Sequence, residues 1–159
     1  MTNFFTQNSD VILRLLVAVV LGMFIGAERV LVHKEAGMKT HALVSLGAAL
    51  FIIISEYLSV MYVGVNGYNP AMMASNIIVG IGFLGAGSII LQGNRLKGLT
   101  TASGFWVTAG IGMAAGFGLF SLAVITTVLI LMIFVLMNIF EQPLIKISDK
   151  NFIDYSKKE

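Results

Sequence analysis

The sequence of 159 residues contains no cysteine, two prolines and one tryptophan, and charged residues make up only 11% of it. Without cysteine there is no disulfide framework, no thiolate metal centre and no cysteine nucleophile. The shortage of charge excludes more. A soluble domain is about a quarter charged, and 11% is too little to cover a folded surface in water. A soluble globular enzyme, a nucleic-acid module and a disordered segment are all disfavoured. The net charge of +2 gives no reason to expect nucleic acid as a partner.

What the chain has instead is apolar length: 57% of it is hydrophobic. A membrane-crossing helix needs about 20 mostly apolar residues. Five apolar stretches stand out, at about residues 11–27, 42–62, 71–91, 101–117 and 119–140. The runs are continuous rather than alternating, so barrel strands are not expected. Backbone groups in lipid must also pair within their own segment, which favours helices. The first stretch does not read as a cleaved signal peptide. No lysine or arginine precedes it, and no small-residue cleavage site follows. Ser9 and Asp10 suit a helix start, because their side chains accept free backbone N–H groups.

The basic residues sort by side. The N-terminal tail, the loop after the second stretch and the break near Gly116 and Gly118 carry none. Arg29, Lys34, Lys39, Arg95, Lys97, Lys146, Lys150, Lys157 and Lys158 all fall on the other side if five stretches cross. The positive-inside rule makes that side cytoplasmic. The expected fold is thus all-α: a polytopic membrane helix bundle of five transmembrane helices, N-terminus out and C-terminus in. Residues 1–142 would form one transmembrane domain, and 143–159 a short cytoplasmic tail.

Glycine is concentrated where helices should meet. Eleven of the 17 glycines lie between Gly80 and Gly118. In lipid, helices associate by close backbone approach at small residues rather than by hydrophobic burial. Gly80, Gly82, Gly85 and Gly87 would make the third helix central, and Gly104, Gly110 and Gly112 would make the fourth tightly packed. Gly22 and Gly26 form a GxxxG in the first. Packing is one reading of these glycines; a strained helix lining a site, as in transporters, is the other. The fifth stretch has no glycine, so it is expected to face lipid or a partner chain. Residues 80–85 match GxGxxG, but no acidic residue lies between Glu56 and Glu141 and no strand precedes the match, so a dinucleotide site is set aside.

Few polar groups remain for function. Arg14 and Glu56 sit at similar depths near the outer ends of the first two helices, where an ion pair between them would offset burial in lipid. At the opposite rim, Glu28, Arg29, Thr40, His41, Arg95, Lys97, Thr100 and Thr101 are placed at one membrane face by the topology. They read either as ordinary helix anchors and caps or as a ligand or partner site. Thr100 or Thr101 suits the cap of the fourth helix, whose positive end would attract a carboxylate such as Glu28. Trp106 reads as packing. No paired carboxylates, nucleophile set or recognised metal-ligand spacing occurs, so neither catalysis nor a bound cofactor or metal is expected.

Residues 22–29 (GMFIGAER), 36–51 (AGMKTHALVSLGAALF), 78–90 (IVGIGFLGAGSII) and 98–118 (GLTTASGFWVTAGIGMAAGFG) together resemble the MgtC/SapB family of bacterial inner-membrane proteins. The resemblance covers nearly the whole chain. It implies a multi-pass inner-membrane protein of five helices, linked to magnesium limitation and, in pathogens, to survival in host phagocytes. It implies regulation of other membrane complexes, with the F-type ATP synthase as the best-known suggested partner. The family's signature positions map to Glu28 and Arg29, to Thr40 and His41, to the glycines from Gly80 to Gly87, and to residues 98–101. Many members carry a soluble C-terminal domain where this sequence has a short tail, so functions that need that domain are not expected. Ser103 stands where the family more often has alanine. The reading that results is a non-enzymatic regulator that binds another membrane complex and forms a homodimer through its GxxxG. The rivals are a small transporter or channel for Mg²⁺ or another ion, and a protein that binds lipid headgroups at its basic rim.

Overall fold

A computed structural model of the chain describes residues 8–62, 69–93 and 95–156, with side chains for those up to 140 other than Pro70. The N-terminal tail, the outer loop at 63–68 and the side chains of the expected tail at 143–159 lie outside the described residues.

Five helices and one small hairpin follow in order among the described residues. Helix α1 is Ser9–Leu31, α2 is Met38–Met61 and α3 is Pro70–Gly87. Strands β1 (Ile90–Gln92) and β2 (Arg95–Lys97) pair antiparallel, with Leu91 opposite Leu96. Helices α4 (Leu99–Gly116) and α5 (Phe120–Ser156) complete the chain. By length and composition α1, α2 and the Phe120–Phe140 part of α5 are apolar and long enough to cross a membrane. Helices α3 and α4 have 18 residues each, somewhat short of a full span.

Local signals set the boundaries. Asp10 in the first turn and Arg29 in the last turn of α1 oppose the helix dipole. The Asn69 side chain accepts the Ala71 N–H at 2.9 Å, and Pro70 opens α3. Gly98, at φ 90°, adopts a left-handed conformation as it leads into α4, and its backbone packs on the Ser88 carbonyl. The apolar stretch that runs to residue 91 in the sequence is divided between α3, which ends at Gly87, and the first strand of a hairpin that the sequence pattern does not predict. The helix stops at Gly87 because the Ser88 hydroxyl donates back to the Gly85 carbonyl at 2.7 Å. Ile90 and Leu91 then enter a strand, which suits β-branched and apolar residues bounded by Gly93 and Gly98 in left-handed turns.

The helix expected at the centre is not the one found there. Helix α4 touches all four others, whereas α3 lies at the periphery against α2 and α4. A Cβ at Gly112 or Gly116 of α4 would run into the backbone of Ser45 or Ala49 on α2. Gly22 and Gly26 of α1 likewise bear on the His41 carbonyl and on Met38. By contrast, Gly80, Gly82, Gly87 and Gly110 face no atom of the described residues within 4 Å of where a Cβ would stand, and Gly85 makes an ordinary contact with Ala102. Helix α5 is not wholly turned outward either. Ala123, Thr127, Ile130 and Phe134 form a buried stripe at helical spacing.

The buried residues are mainly small, including Ala18, Ala49, Ala109, Ala115 and Ala123, while bulky side chains point outward, Phe83 being 82% exposed. Water-soluble proteins bury their large hydrophobics. Small residues inside and large apolar ones outside is the arrangement expected of a bundle solvated by lipid.

Gly112→Ala should therefore destabilise the bundle by about 1–3 kcal/mol through overpacking on α2. Gly110→Ala should be neutral or slightly stabilising. Unfolding by denaturant in mixed micelles measures both, and equal losses would contradict the packing described.

Candidate functional site

The short link between α1 and α2 and the close contact of α2 with α4 bring three sequence-distant segments together. On α1, Glu28 and Arg29 are both buried, Arg29 to 1% exposure. The Arg29 Nε donates to Glu28 Oε2 at 2.5 Å. The Asn138 amide of α5 donates to Glu28 Oε1 at 3.1 Å. The Arg29 guanidinium lies 3.6 Å from the ring centroid of Phe134, a cation–π contact strengthened by the burial of both groups.

On α2, His41 is fully buried and its Nδ1 shares a hydrogen bond of 2.9 Å with Thr108 Oγ1 of α4. Its ring tilts against Phe105, with centroids 5.3 Å apart. Gly104 joins the two groups, because a Cβ there would stand 3.4 Å from His41 Cε1 and 3.5 Å from Phe134 Cζ. Both are ordinary van der Waals distances, so the imidazole and the phenylalanine ring pack on α4 on either side of this residue. His41 Nε2 and Ser45 Oγ, one turn apart on α2, have no hydrogen-bond partner among the described residues. The result is one buried polar cluster: Glu28, Arg29 and Asn138 beside His41 and Thr108.

The eight residues expected at a single rim thus divide among different surroundings. Glu28, Arg29 and His41 are buried in this cluster. Lys97, Thr100 and Thr101 line a polar vestibule of about 520 Å³, together with His33, Lys34 and Glu35. Thr40 lines a separate, apolar groove between α2 and α3. Arg95 is exposed on the hairpin. The pairing of Glu28 with the start of α4 is not found. Gly98 precedes α4 without a side-chain cap, and the Glu28 carboxylate engages Arg29 and Asn138 instead. Trp106 is 55% exposed and points away from the core. Among the described residues no three histidine, aspartate or glutamate side chains gather as a metal site would need.

At the opposite end Arg14 ties three elements together. Its Nη1 donates to Glu56 Oε2 of α2 at 2.5 Å and to the Gly116 carbonyl of α4 at 2.9 Å, and its Nη2 meets Asp10 at 2.8 Å. A cation on the last turn of α4 also satisfies the negative end of that helix.

The model of the MgtC family matches residues 15–142. The chain belongs to the MgtC family. Similar relatives include the protein named "Putative magnesium transporter YhiD" in Escherichia coli (strain K12), 37% identical over 151 residues, which are 92% of this chain and 67% of that protein. Protein MgtC of Salmonella typhimurium (strain LT2) is 45% identical over 120 residues, 76% of this chain and 49% of that one. Protein MgtC of Brucella abortus (strain 2308) is 38% identical over 130 residues, 82% of this chain and 50% of that one. The chain thus spans about two thirds of YhiD and half of these two MgtC proteins. No solved structure matches. The match to the MgtC family takes in the buried cluster from Glu28 to Asn138 and the Arg14-facing ends of α2 and α4, though Arg14 itself lies just before it.

Reasoning from the sequence missed Asn138, Thr108, Phe134 and Phe105. Asn138 had a usable signal, since a lone amide in an otherwise apolar span is expensive unless it is paired. Thr108 and the two aromatic rings carried none, because threonine and phenylalanine are ordinary in membrane helices.

The buried pair and the outer pair should respond differently to loss of a charge. Glu28→Gln leaves the Arg29 guanidinium buried beside a neutral amide and should cost about 3–5 kcal/mol of stability. The Glu56 side chain is half exposed, and Glu56→Gln should cost about 1 kcal/mol or less. Denaturant titration in micelles distinguishes the two, and a Glu28→Gln variant as stable as the parent would refute the pairing.

Proposed function

We propose that this MgtC-family chain is a non-enzymatic regulator in the bacterial inner membrane that acts by binding another membrane complex, the F-type ATP synthase being the first to test. The observation that carries this reading is how its charged core is engaged. Glu28, Arg29 and His41 are packed against Asn138, Thr108 and two aromatic rings, and none of them lines the vestibule or the groove. A cation pathway would place acidic groups or carbonyls along an accessible channel. A closed polar cluster instead holds helices in one arrangement and leaves the exposed apolar surface to do the binding.

All five helices cross the membrane in this reading, with the N-terminus outside and the C-terminus in the cytoplasm. The positive-inside distribution supports it, and so does the alternation of direction that the short connections at 32–37 and 117–119 impose. The short α3 and α4 are accommodated by local thinning of the bilayer or by their tight contact with longer neighbours. A role under magnesium limitation is part of the same proposal, and the resemblance to the family is what supports it.

The name of the YhiD relative supports a second reading, a magnesium transporter. The polar vestibule lined by Lys97, Thr100 and Thr101 would be its cytoplasmic mouth.

Two measurements test these statements. Because the chain has no cysteine, single cysteines report topology cleanly. Glu35→Cys and Gln92→Cys should be labelled only from the cytoplasmic side, and Asn69→Cys only from outside; the reverse pattern would overturn the orientation. In vesicles holding purified ATP synthase, added chain should reduce ATP-driven proton pumping, while vesicles holding the chain alone should pass no Mg²⁺. Selective Mg²⁺ flux from the chain alone, lost in Thr100→Ala, would replace the regulator with a transporter.

A further inference from the structure

The peripheral position of α3 leaves a groove of about 620 Å³ against α2. Its walls are Leu43, Val44 and Phe51 on one side and Met73, Ile77 and Ile81 on the other. Gly47 and Gly80 deepen it, since at neither position would a Cβ meet any atom within 4 Å. Lys39 is the only ionised side chain among the residues lining it, and it stands at one end next to Thr40. From Lys39 to Phe51 the groove follows α2 for about 18 Å, a little more than the ~15 Å of hydrocarbon in one leaflet. The first turn of α2 holds no acidic residue, and Gly37 offers no side-chain cap, so the positive end of the helix lies at that same mouth.

We infer that this groove holds one acyl chain of an anionic phospholipid, with the lipid phosphate at Lys39 and Thr40. The match has two independent parts. The apolar channel has the length of a leaflet and a volume for a single chain. Its one cation lies at the end where a headgroup must sit, with a hydroxyl beside it to donate a further hydrogen bond. A zwitterionic lipid would fill the channel equally well but would gain less at Lys39. Assigning the lipid to the cytoplasmic leaflet rests on the proposed orientation; occupancy of the groove does not, nor does it depend on a protein partner. Asn76, also along the groove, separates lipid from the rival occupant. An acyl chain has nothing to bond to it, whereas a docked helix would use that amide to hold on.

The test is native mass spectrometry of the full chain released from detergent after incubation with dioleoyl phosphatidylglycerol or dioleoyl phosphatidylcholine. The parent should retain the anionic lipid about fivefold better, the size of effect expected for one cation at an anionic surface. Lys39→Gln, on the exposed rim, should remove that preference while retaining some of both lipids. Gly47→Leu should fill the channel and abolish retention of both, and Asn76→Leu should change neither. A parent with no preference for the anionic lipid would overturn the inference, as would a folded Gly47→Leu variant that retains lipid like the parent. A dimer in the same spectra that Asn76→Leu converts to monomer, with lipid retention unchanged by Gly47→Leu, would assign the groove to a helix instead.

Discussion

The closest contacts between helices here are backbone to backbone. Gly22 and Gly26 let α1 lie on the first turns of α2, and Gly112 and Gly116 let α4 lie on Ser45 and Ala49. No hydrophobic effect drives this association in lipid, because the lipid is as apolar as the side chains it would replace. What stabilises it is dispersion at short range, and that exists only while no Cβ intervenes. The buried polar groups depend on the same approach. His41 reaches Thr108 because α2 and α4 touch, and Glu28 and Arg29 reach the bundle interior because α1 touches α2.

The dependence also runs the other way. An ionised carboxylate and a guanidinium removed from water cost several kcal/mol unless their remaining hydrogen-bonding capacity is met. The Asn138 amide and the Phe134 ring meet part of it, and both come from α5. Among the described residues that helix buries one stripe, Ala123, Thr127, Ile130 and Phe134, and the polar cluster adds Asn138 close to its end. Sliding α5 by one turn would remove Asn138 from Glu28 and leave a buried carboxylate short of a partner. Backbone contact sets the distance between helices, and the polar cluster sets their register.

Much of this was legible in the sequence, for identifiable reasons. The helices were, because an apolar run of 20 residues has few alternatives in lipid. The convergence of Glu28 and His41 near one face followed from the alternation of helix direction. What the sequence could not carry was depth and rotation. Thr40 and His41 are adjacent, yet one lines an open groove and the other is fully buried, a 100° turn that composition does not reveal. Glycine count was misleading for the same reason. Helix α3 is richer in glycine than α1, but a Cβ at 80, 82 or 87 would meet nothing among the described residues, while two glycines in α1 bear on α2. The hairpin was missed because the apolar Ile90 and Leu91 continue the hydrophobicity of the preceding helix, and only the Ser88 hydroxyl bond and the two positive-φ glycines mark the change.

The two halves of the bundle consequently differ in kind. Helices α1, α2, α4 and α5 each give a side chain to the buried polar cluster, and close glycine contacts join α1 and α4 to α2, so a shift in one disturbs several favourable terms at once. Helix α3 contributes Ile77 to the core and rests on Ala102 through Gly85, but shares none of the buried charge. Its attachment to α4 runs partly through the hairpin, where the backbone of Gly98 packs on Ser88. A helix outside the buried polar cluster can shift without leaving a buried charge unpaired. The groove beside α3 is therefore the part of the molecule whose width can change without disturbing the contacts of Glu28 with Asn138 and of His41 with Thr108. Whatever occupies it bears on the one helix of the bundle that gives no side chain to that cluster.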